Sequence, residues 1–281
     1  MTSSAERAAY WQVPGLALEV MDARFEHYAY PMHAHDTYSF GVTDSGAQSF
    51  VCRGARHVSA VGLVMAFNPD EPHDGQSAVP HGYRYRMLHL GEDLVRDVLA
   101  DAAPGSAGLP LFDTPVVDNP ALARAVARLH TAVVDNASRL VVEEHLTAAV
   151  LALSRDAATR PARLPDPRGR VDLTAMERAR SLLRRRFAEN IAADDLARVA
   201  GCSRFALYRG FRAAYGFAPS DYQRDLRLRR ARALLADGTA PSMAAAEAGF
   251  ADQAHLTRWF TRTYGITPAA YRTALHSDDH P

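Results

Sequence analysis

Lysine is missing from this chain: all 32 basic side chains among its 281 residues are arginine. Every cationic contact must therefore come from a planar guanidinium, which presents its donors as a rigid fork rather than as a point charge. Cysteine is nearly missing too. Cys52 lies in a strand-like run and Cys202 in a turn of the second half, so no structural disulfide is expected. No cysteine cluster exists to hold a metal or carry nucleophilic chemistry, and Cys202, weighed as a redox switch, reads instead as a packed thiol. No apolar run is long enough to cross a bilayer and no signal peptide precedes Tyr10, so a cytoplasmic chain without membrane association is expected.

Net charge is absent as well, but only in total. Residues 1–167 hold 13 arginines against 20 acids, net −7, while residues 168–281 hold 19 against 12, net +7. The length suffices for two domains with separate cores. An acidic half joined to a basic half fits a sensor attached to a nucleic-acid binder.

What is present is a repeat. Leu207, Arg209, Phe211, Tyr215-Gly216, Pro219 and Tyr222 recur 49 positions later as Leu256, Arg258, Phe260, Tyr264-Gly265, Pro268 and Tyr271. Gly201 and Gly249 are 48 apart, so the second copy has one more residue in its turn. A short Ala-rich helix, a Gly-centred turn and a longer Arg-bearing helix make a helix-turn-helix, and two of them imply two contacts with one partner. Duplex DNA offers such a surface once per helical turn.

Helical periodicity assigns the faces. Leu207, Gly210, Phe211 and Ala214 form the core stripe of one second helix; Leu256, Trp259, Phe260 and Thr263 form that of the other. The free face of the first carries Phe205, Tyr208, Arg209 and Arg212, with Ser203 as N-cap and Arg204 after it. That of the second carries Ala254, Thr257, Arg258 and Thr261, flanked by Gln253 and His255, with Asp252 at the positive helix end. Arg can read guanine as a fork, Gln can read adenine, and Thr or Phe can touch a thymine methyl.

Residues 171–275 resemble the DNA-binding domain of the AraC/XylS family of bacterial transcription regulators. The resemblance rests on Gly249-Phe250-Ala251-Asp252-Gln253-Ala254-His255-Leu256-Thr257-Arg258-Trp259-Phe260 and on Tyr264-Gly265-Ile266-Thr267-Pro268-Ala269-Ala270-Tyr271-Arg272. It implies seven helices, with two helix-turn-helix units bridged by a long helix from Ser220 to Ala236. Bulky Phe205 and blank Ala254 depart from reading residues, so methyl contacts or DNA shape are expected there.

From Leu18 to Leu90 the period changes to two. Tyr38, Phe40 and Val42 alternate with Ser39, Gly41 and Thr43, and Asp44-Ser45-Gly46 reads as a turn. Further strands are expected over Gln48–Cys52, Val58–Phe67 and from Tyr83 through Tyr85 and Met87, with turns at Arg53-Gly54 and Asn68–Pro72. Such a run of short strands is an antiparallel sandwich or barrel. His33-Ala34-His35-Asp36 and the stretch from Asn68 to Gly75 resemble the cupin-type sensor domain of the same regulators. Metal-binding cupins clasp an ion with a His-x-His and a later His, here His33, His35 and His73, but the usual following Glu is replaced by Ser39 and Phe40. Hydrogen-bonding histidines in a metal-free barrel are therefore expected, with a metal-binding cupin, as metal sensor or enzyme, kept as the alternative. His33, His35, Tyr38, Phe40, Phe67, His73 and Tyr85 are the expected effector contacts, and Phe50, Met65 and Met87 further candidates for the lining.

Helices are expected at Glu92–Ala103, Asn119–Asn136 and Arg139–Asp156, the last two covering the barrel or pairing with a second subunit. The expected fold is α+β: an N-terminal antiparallel, cupin-like β-barrel with following helices and a C-terminal all-α domain with two helix-turn-helix units. Its divisions are an effector-sensing domain at 1–115, a helical dimerisation or cover segment at 116–156, a Pro-containing linker at 157–170, the DNA-binding domain at 171–275 and a tail at 276–281. The expected function is sequence-specific regulation of transcription under a small-molecule effector. Its partners are double-stranded promoter DNA, the effector, RNA polymerase and a second copy of the chain, and no enzymatic step, metal or cofactor is called for.

Overall fold

The computed structural model describes residues 6–103, 108–159 and 171–276. The chain begins with strands β1 (Arg7–Gln12), β2 (Leu18–Phe25), β3 (Tyr30–His33), β4 (Tyr38–Cys52), β5 (Ala55–Ala60), β6 (Val64–Phe67), β7 (His73–Ser77) and β8 (Tyr83–Leu90). Helix α1 (Glu92–Ala102), strand β9 (Val116–Val117) and helices α2 (Pro120–Val134) and α3 (Arg139–Asp156) follow. Seven helices complete it: α4 (Leu173–Arg185), α5 (Ala193–Ala200), α6 (Arg204–Tyr215), α7 (Pro219–Ala236), α8 (Pro241–Glu247), α9 (Gln253–Tyr264) and α10 (Pro268–His276). The described residues fall into two compact units. One runs to Ala137 and resumes at Val141; the other comprises Ser138–Leu140 and the chain from residue 171 on.

In the first unit every strand pairing is antiparallel. One sheet runs β1-β2-β8-β4-β6-β9, and β4 continues into a second with β5, β7 and β3. The expected turn at Asp44–Gly46 is instead a β-bulge: β4 runs unbroken for 15 residues, and its register against β8 shifts between Thr43 and Ser45. One extra residue there bends the strand and exchanges the faces its side chains occupy. Before the bulge Gly41 lies opposite Met87 and Ser39 opposite His89, on the inner face; beyond it the inner residues are Gln48 and Phe50. The inner core gathers Met21, Ala23, Phe25, Phe50, Cys52, Met65, Phe67, Tyr83, Tyr85 and Met87.

Three other expectations change. The Val58–Phe67 run is two strands, divided by a turn at Gly62 (φ +84°). Residues 116–117 add a strand to β6 before the helical segment begins. Residues 157–159 belong to the first unit, with Thr159 N donating to Leu111 O, whereas 160–170 of the expected linker and 277–281 of the tail lie outside the described residues. The apolar stripe of α2 (Leu122, Val126, Leu129, Val133) is buried, and this helix packs on β2, β4 and β8, so it covers the sheet of its own chain.

In the second unit α7 bridges two small cores. Its Tyr222 and Leu226 pack on a cluster that includes Met176, Leu183, Leu196, Leu207 and Phe211. Its Leu228, Ala231, Leu234 and Leu235 enter a cluster with Ala244, Ala245, Leu256 and Phe260. Buried alanines, Ala193, Ala197 and Ala200 of α5 and Ala244 and Ala245 of α8, let the first helix pack closely on α4 and the second on α7. Thr263, expected on a core stripe, is exposed, because the stripe of α9 closes on Leu256 and Phe260 alone, with Trp259 half-buried.

Candidate nucleic-acid interface and effector cavity

Each helix-turn-helix is built by local sequence. Helix α5 ends at Gly201 (φ +72°), and Ser203 caps α6 by accepting from Ala206 N. In the second unit, Gly249 (φ +81°) makes the turn after α8, and Asp252 caps α9 by accepting from His255 N. These conformations place two 12-residue helices in matching positions. On them Arg212, Gln253, Ala254 and Arg258 are exposed, while Ser203, Arg204, Phe205, Arg209, Thr257 and Thr261 are half-buried. Arg204 is ion-paired to Asp194 of α5 at 3.6 Å. Tyr208 and His255 turn further inward than a reading face requires. The first packs on the core of its own half, and the second sets its ring edge-on to Phe250, which lowers its pKa through burial.

The arginines of α7, seen in the sequence only as charge along the bridge, divide into distinct roles. Arg227 is 7% exposed and donates through Nε to Phe187 O (2.7 Å) and through Nη2 to Glu189 O (2.8 Å). Gln223 donates to the same two carbonyls. Burial depresses the Arg227 pKa to about 10. Arg224 lies over the Trp259 ring at 3.8 Å, tying α7 to α9. Arg178 of α4 donates to Val199 O and Ala200 O, closing the C-terminus of α5. Arg229 is exposed and paired with Asp225 at 2.6 Å.

The barrel holds an open-mouthed cavity of about 690 Å³. Of the expected contacts, His33, His35, Phe67, His73 and Tyr85 line it, as do Phe50, Met65 and Met87. Tyr38 and Phe40 do not. They stand on the opposite face of β4, where Tyr38 Oη donates to Pro110 O (2.8 Å) and both rings pack on Phe112. The expectation failed because it carried one parity through the bulge. Met21, Tyr30, Gln48 and His89 also line it, as do Tyr10, Glu19, Asp36 and Asp74, and were missed. His89 had a signal: it continues the alternation of Tyr83, Tyr85 and Met87 by one step.

One end of this cavity is histidine. Ring nitrogens of His33, His35 and His73 lie within 4.8 Å of one another, and the ring centres of His35 and His89 are 4.8 Å apart. His35 sits in the loop after β3, so the three meet by loop geometry and not by alternation along one strand. Burial holds the pKa values of His73 and His89 at about 4, and that of His35 below its usual value. The rings are therefore neutral at pH 7.

Residues 15–150 match the AraC-like ligand binding domain and residues 196–274 a helix-turn-helix domain. The chain belongs to the AraC family of helix-turn-helix transcriptional regulators. It is 27% identical to the HTH-type transcriptional regulator YbfI of Bacillus subtilis over 230 residues, 81% of each chain. It is 30% identical to the HTH-type regulator RipA of Corynebacterium glutamicum over 226 residues, covering 74% of this chain and 63% of that one. A solved AraC-type regulator from Chromobacterium violaceum shares 30% identity over 37% of this chain and 94% of its own, with a TM-score of 0.35. As an AraC family member the chain thus joins a ligand-binding unit to a DNA-binding unit, and it functions as a transcriptional regulator. Among the described residues no helix is long and apolar enough to cross a membrane.

Proposed function

We propose that a small molecule held in the barrel cavity shifts the population of states in which α6 and α9 together grip adjacent major grooves of promoter DNA. The observation that carries this reading is the pair of matched helices, each capped at its start and ended by a left-handed glycine, in the half of the chain, residues 168–281, whose sequence is net +7. Arg209 and Arg212 on α6, and Gln253, Thr257, Arg258 and Thr261 on α9, are the proposed base and phosphate contacts. Ser203 and Arg204 position α6, and Phe205 and Ala254 leave their base pairs to methyl contact or shape. The effector meets Phe67, Tyr85 and the histidine end of the cavity, and its differential affinity for the DNA-competent state sets the response. No covalent step is involved. Action as a homodimer in the cytoplasm, and contact with RNA polymerase, are the family's implication and part of the proposal.

Footprinting of the full chain on DNA selected from a random pool tests it. Two protected major-groove segments about 10 base pairs apart on one face are expected per monomer. Binding that is indifferent to sequence at moderate salt would refute the assignment of the reading helices.

A further inference from the structure

One wall of the cavity is laid out in rows across β1, β2 and β8. Tyr10 stands opposite Met21 and Met21 opposite Met87; two residues along, Gln12 stands opposite Glu19 and Glu19 opposite His89. All six line the cavity, so an apolar row runs beside a polar one in which Glu19 carries the charge. The other carboxylates of the lining are Asp36 and Asp74, and among the described residues no arginine lines it. Burial keeps His35, His73 and His89 neutral at pH 7, so the histidines do not offset the acids. Glu19 accepts from Gln12 Nε2 (2.9 Å) and Asp74 from Val51 N (2.5 Å), neutral donors that leave both charges in place. Half-buried Glu19 and exposed Asp36 both act on the His35 ring through their charge, which places them toward the histidine end. The donors of the wall are committed elsewhere. Gln48 Nε2 donates to Thr43 Oγ1 (3.3 Å) and Tyr85 Oη to Tyr30 Oη (3.5 Å). His33 Nδ1 is 2.8 Å from Pro31 O and His73 Nδ1 is 2.9 Å from Glu71 O. A carbonyl oxygen only accepts, so Nδ1 carries the proton and Nε2 of the neutral ring is a lone pair. What remains for a ligand is negative charge, lone pairs and apolar surface.

We propose that the effector is an organic cation, an amine whose ammonium group is held by Glu19 and Asp36 beside the histidines and whose apolar body lies along Met21, Phe50, Met65 and Met87. This assignment rests on the barrel as the effector site and narrows the effector to one chemical class. An ammonium group has three donors and no acceptor, the complement of what the wall leaves free. A cleft lined by charge of one sign between apolar walls concentrates its field and draws in the opposite charge. Aromatic rings such as Tyr30 and Phe50 add a further attraction for a cation. An anionic effector would meet acids of its own sign and no guanidinium fork, the group that suits a carboxylate or phosphate. A neutral effector would take water from Glu19 without compensating its charge. The thioethers of three methionines adapt to the shape of the body, and 690 Å³ lies within the range of about 300–1,000 Å³ usual for small-molecule sites.

Calorimetric titration of the full chain at pH 7 uses three probes that share one body: 2-phenylethylamine, 2-phenylethanol and 3-phenylpropionate. The amine should bind about tenfold or more tightly than the alcohol, as one partly screened charge pair confers, and the acid should not bind. The double variant Glu19→Gln/Asp36→Asn keeps both shapes and should remove that preference; Asp36→Asn alone, at an exposed position, should halve it on a logarithmic scale and serves if the double variant does not fold. Asp97→Asn, the same change of charge on the exposed face of α1, should leave the preference intact. Gly41→Leu, which intrudes between Met65 and Met87, should abolish binding of every probe. No uptake of the amine, or a preference for it that survives in the acid variants, overturns the assignment. Tighter binding of the alcohol or the acid that Gly41→Leu still blocks overturns the class and leaves the barrel as the effector site. Amine binding that persists in Gly41→Leu overturns both.

Discussion

Three left-handed glycines allow the position of the reading helices to be tested by one methyl group. Gly265 (φ +80°) has nothing within 4 Å of where a Cβ would stand, and at Gly201 (φ +72°) the nearest atom is the Arg178 Nη2 at 3.5 Å. At Gly249 (φ +81°) a Cβ would lie 2.3 Å from Ala188 O and 2.6 Å from Ala188 Cα, both backbone. Alanine in the left-handed region costs about 1–2 kcal/mol, reduced by about 0.5 kcal/mol because alanine also restricts the unfolded chain. Gly265→Ala and Gly201→Ala should therefore each lose about 1 kcal/mol. Gly249→Ala adds an overlap that no side-chain rotation relieves, worth about 1–3 kcal/mol more, and the relief is a displacement of the turn that aims α9. In a Trp11→Phe background the half-buried Trp259 reports denaturant unfolding of this half of the unit. DNA affinity should be near the parental value in Gly265→Ala and lost at the α9 half-site in Gly249→Ala. Equal losses within about 0.5 kcal/mol in Gly249→Ala and Gly265→Ala would refute the claim that backbone contact at Ala188 sets the helix position.

Four further outcomes are expected. Arg209→Ala and Arg258→Ala should each cost about 1–3 kcal/mol on the selected site and relax base choice locally, whereas Arg229→Ala should weaken selected and random DNA alike in competition binding. Gly41→Leu projects between the flexible ends of Met65 and Met87, whose nearest atoms are 2.6 and 2.9 Å from a Cβ there. It should fill the cavity, abolishing melting shifts by small ligands in a thermal screen while DNA binding without ligand persists. Arg227→Lys offers one point donor where two carbonyls are served by a fork, and should lower the unfolding free energy by about 2 kcal/mol in denaturant titrations. Buried His130 donates Nε2–H to Met21 O, and burial lowers its pKa below 6.5. Protonation then favours the unfolded chain, so its share of stability is full above pH 6.5 and falls away as the pH drops toward the lowered value; His130→Gln should flatten that part of the pH–stability curve.

The helical half was the more legible because its signal is local and doubled. Leu207 and Phe211, like Leu256 and Phe260, mark buried stripes on their own, and Ser203 and Asp252 announce helix starts that the structure keeps. Thr263 misled because a fourth stripe position at the end of a short helix overhangs its core. In the barrel the strand parity was readable on either side of Asp44, but whether Asp44-Ser45-Gly46 reverses the chain or adds one residue to it is decided by the pairing with β8. That pairing is not local, and both Tyr38 and Phe40 went to the wrong face with it. The meeting of His33, His35 and His73 joins a loop to a strand some forty positions on, and His89 comes from a third element, so no spacing rule could deliver the cluster whole. Strands β1 and β7 were passed over for a simpler reason: each is short, and β7, His73–Ser77, has no apolar side chain to mark it.

The absence of lysine acquires a structural meaning once the arginines are placed. Arg227 and Arg178 each close two backbone carbonyls at the end of a neighbouring segment, and Arg224 lies flat on Trp259. A fork with two parallel donors suits the first task and a planar, weakly hydrated cation the second; an ammonium performs neither as well. These arginines spend their charge inside the unit, holding α5 to α4 and α7 to both cores. The net positive charge of the C-terminal half therefore overstates what faces DNA. Exposed arginines remain, among them Arg184, Arg185, Arg212, Arg258 and Arg262, with Arg209 half-buried, and specificity must come from the geometry of those on α6 and α9 and not from their number. Geometry of that kind is only as good as the scaffold beneath it. On this account Arg178, Arg224 and Arg227 and the turn at Gly249 matter to DNA recognition as much as the residues that touch it.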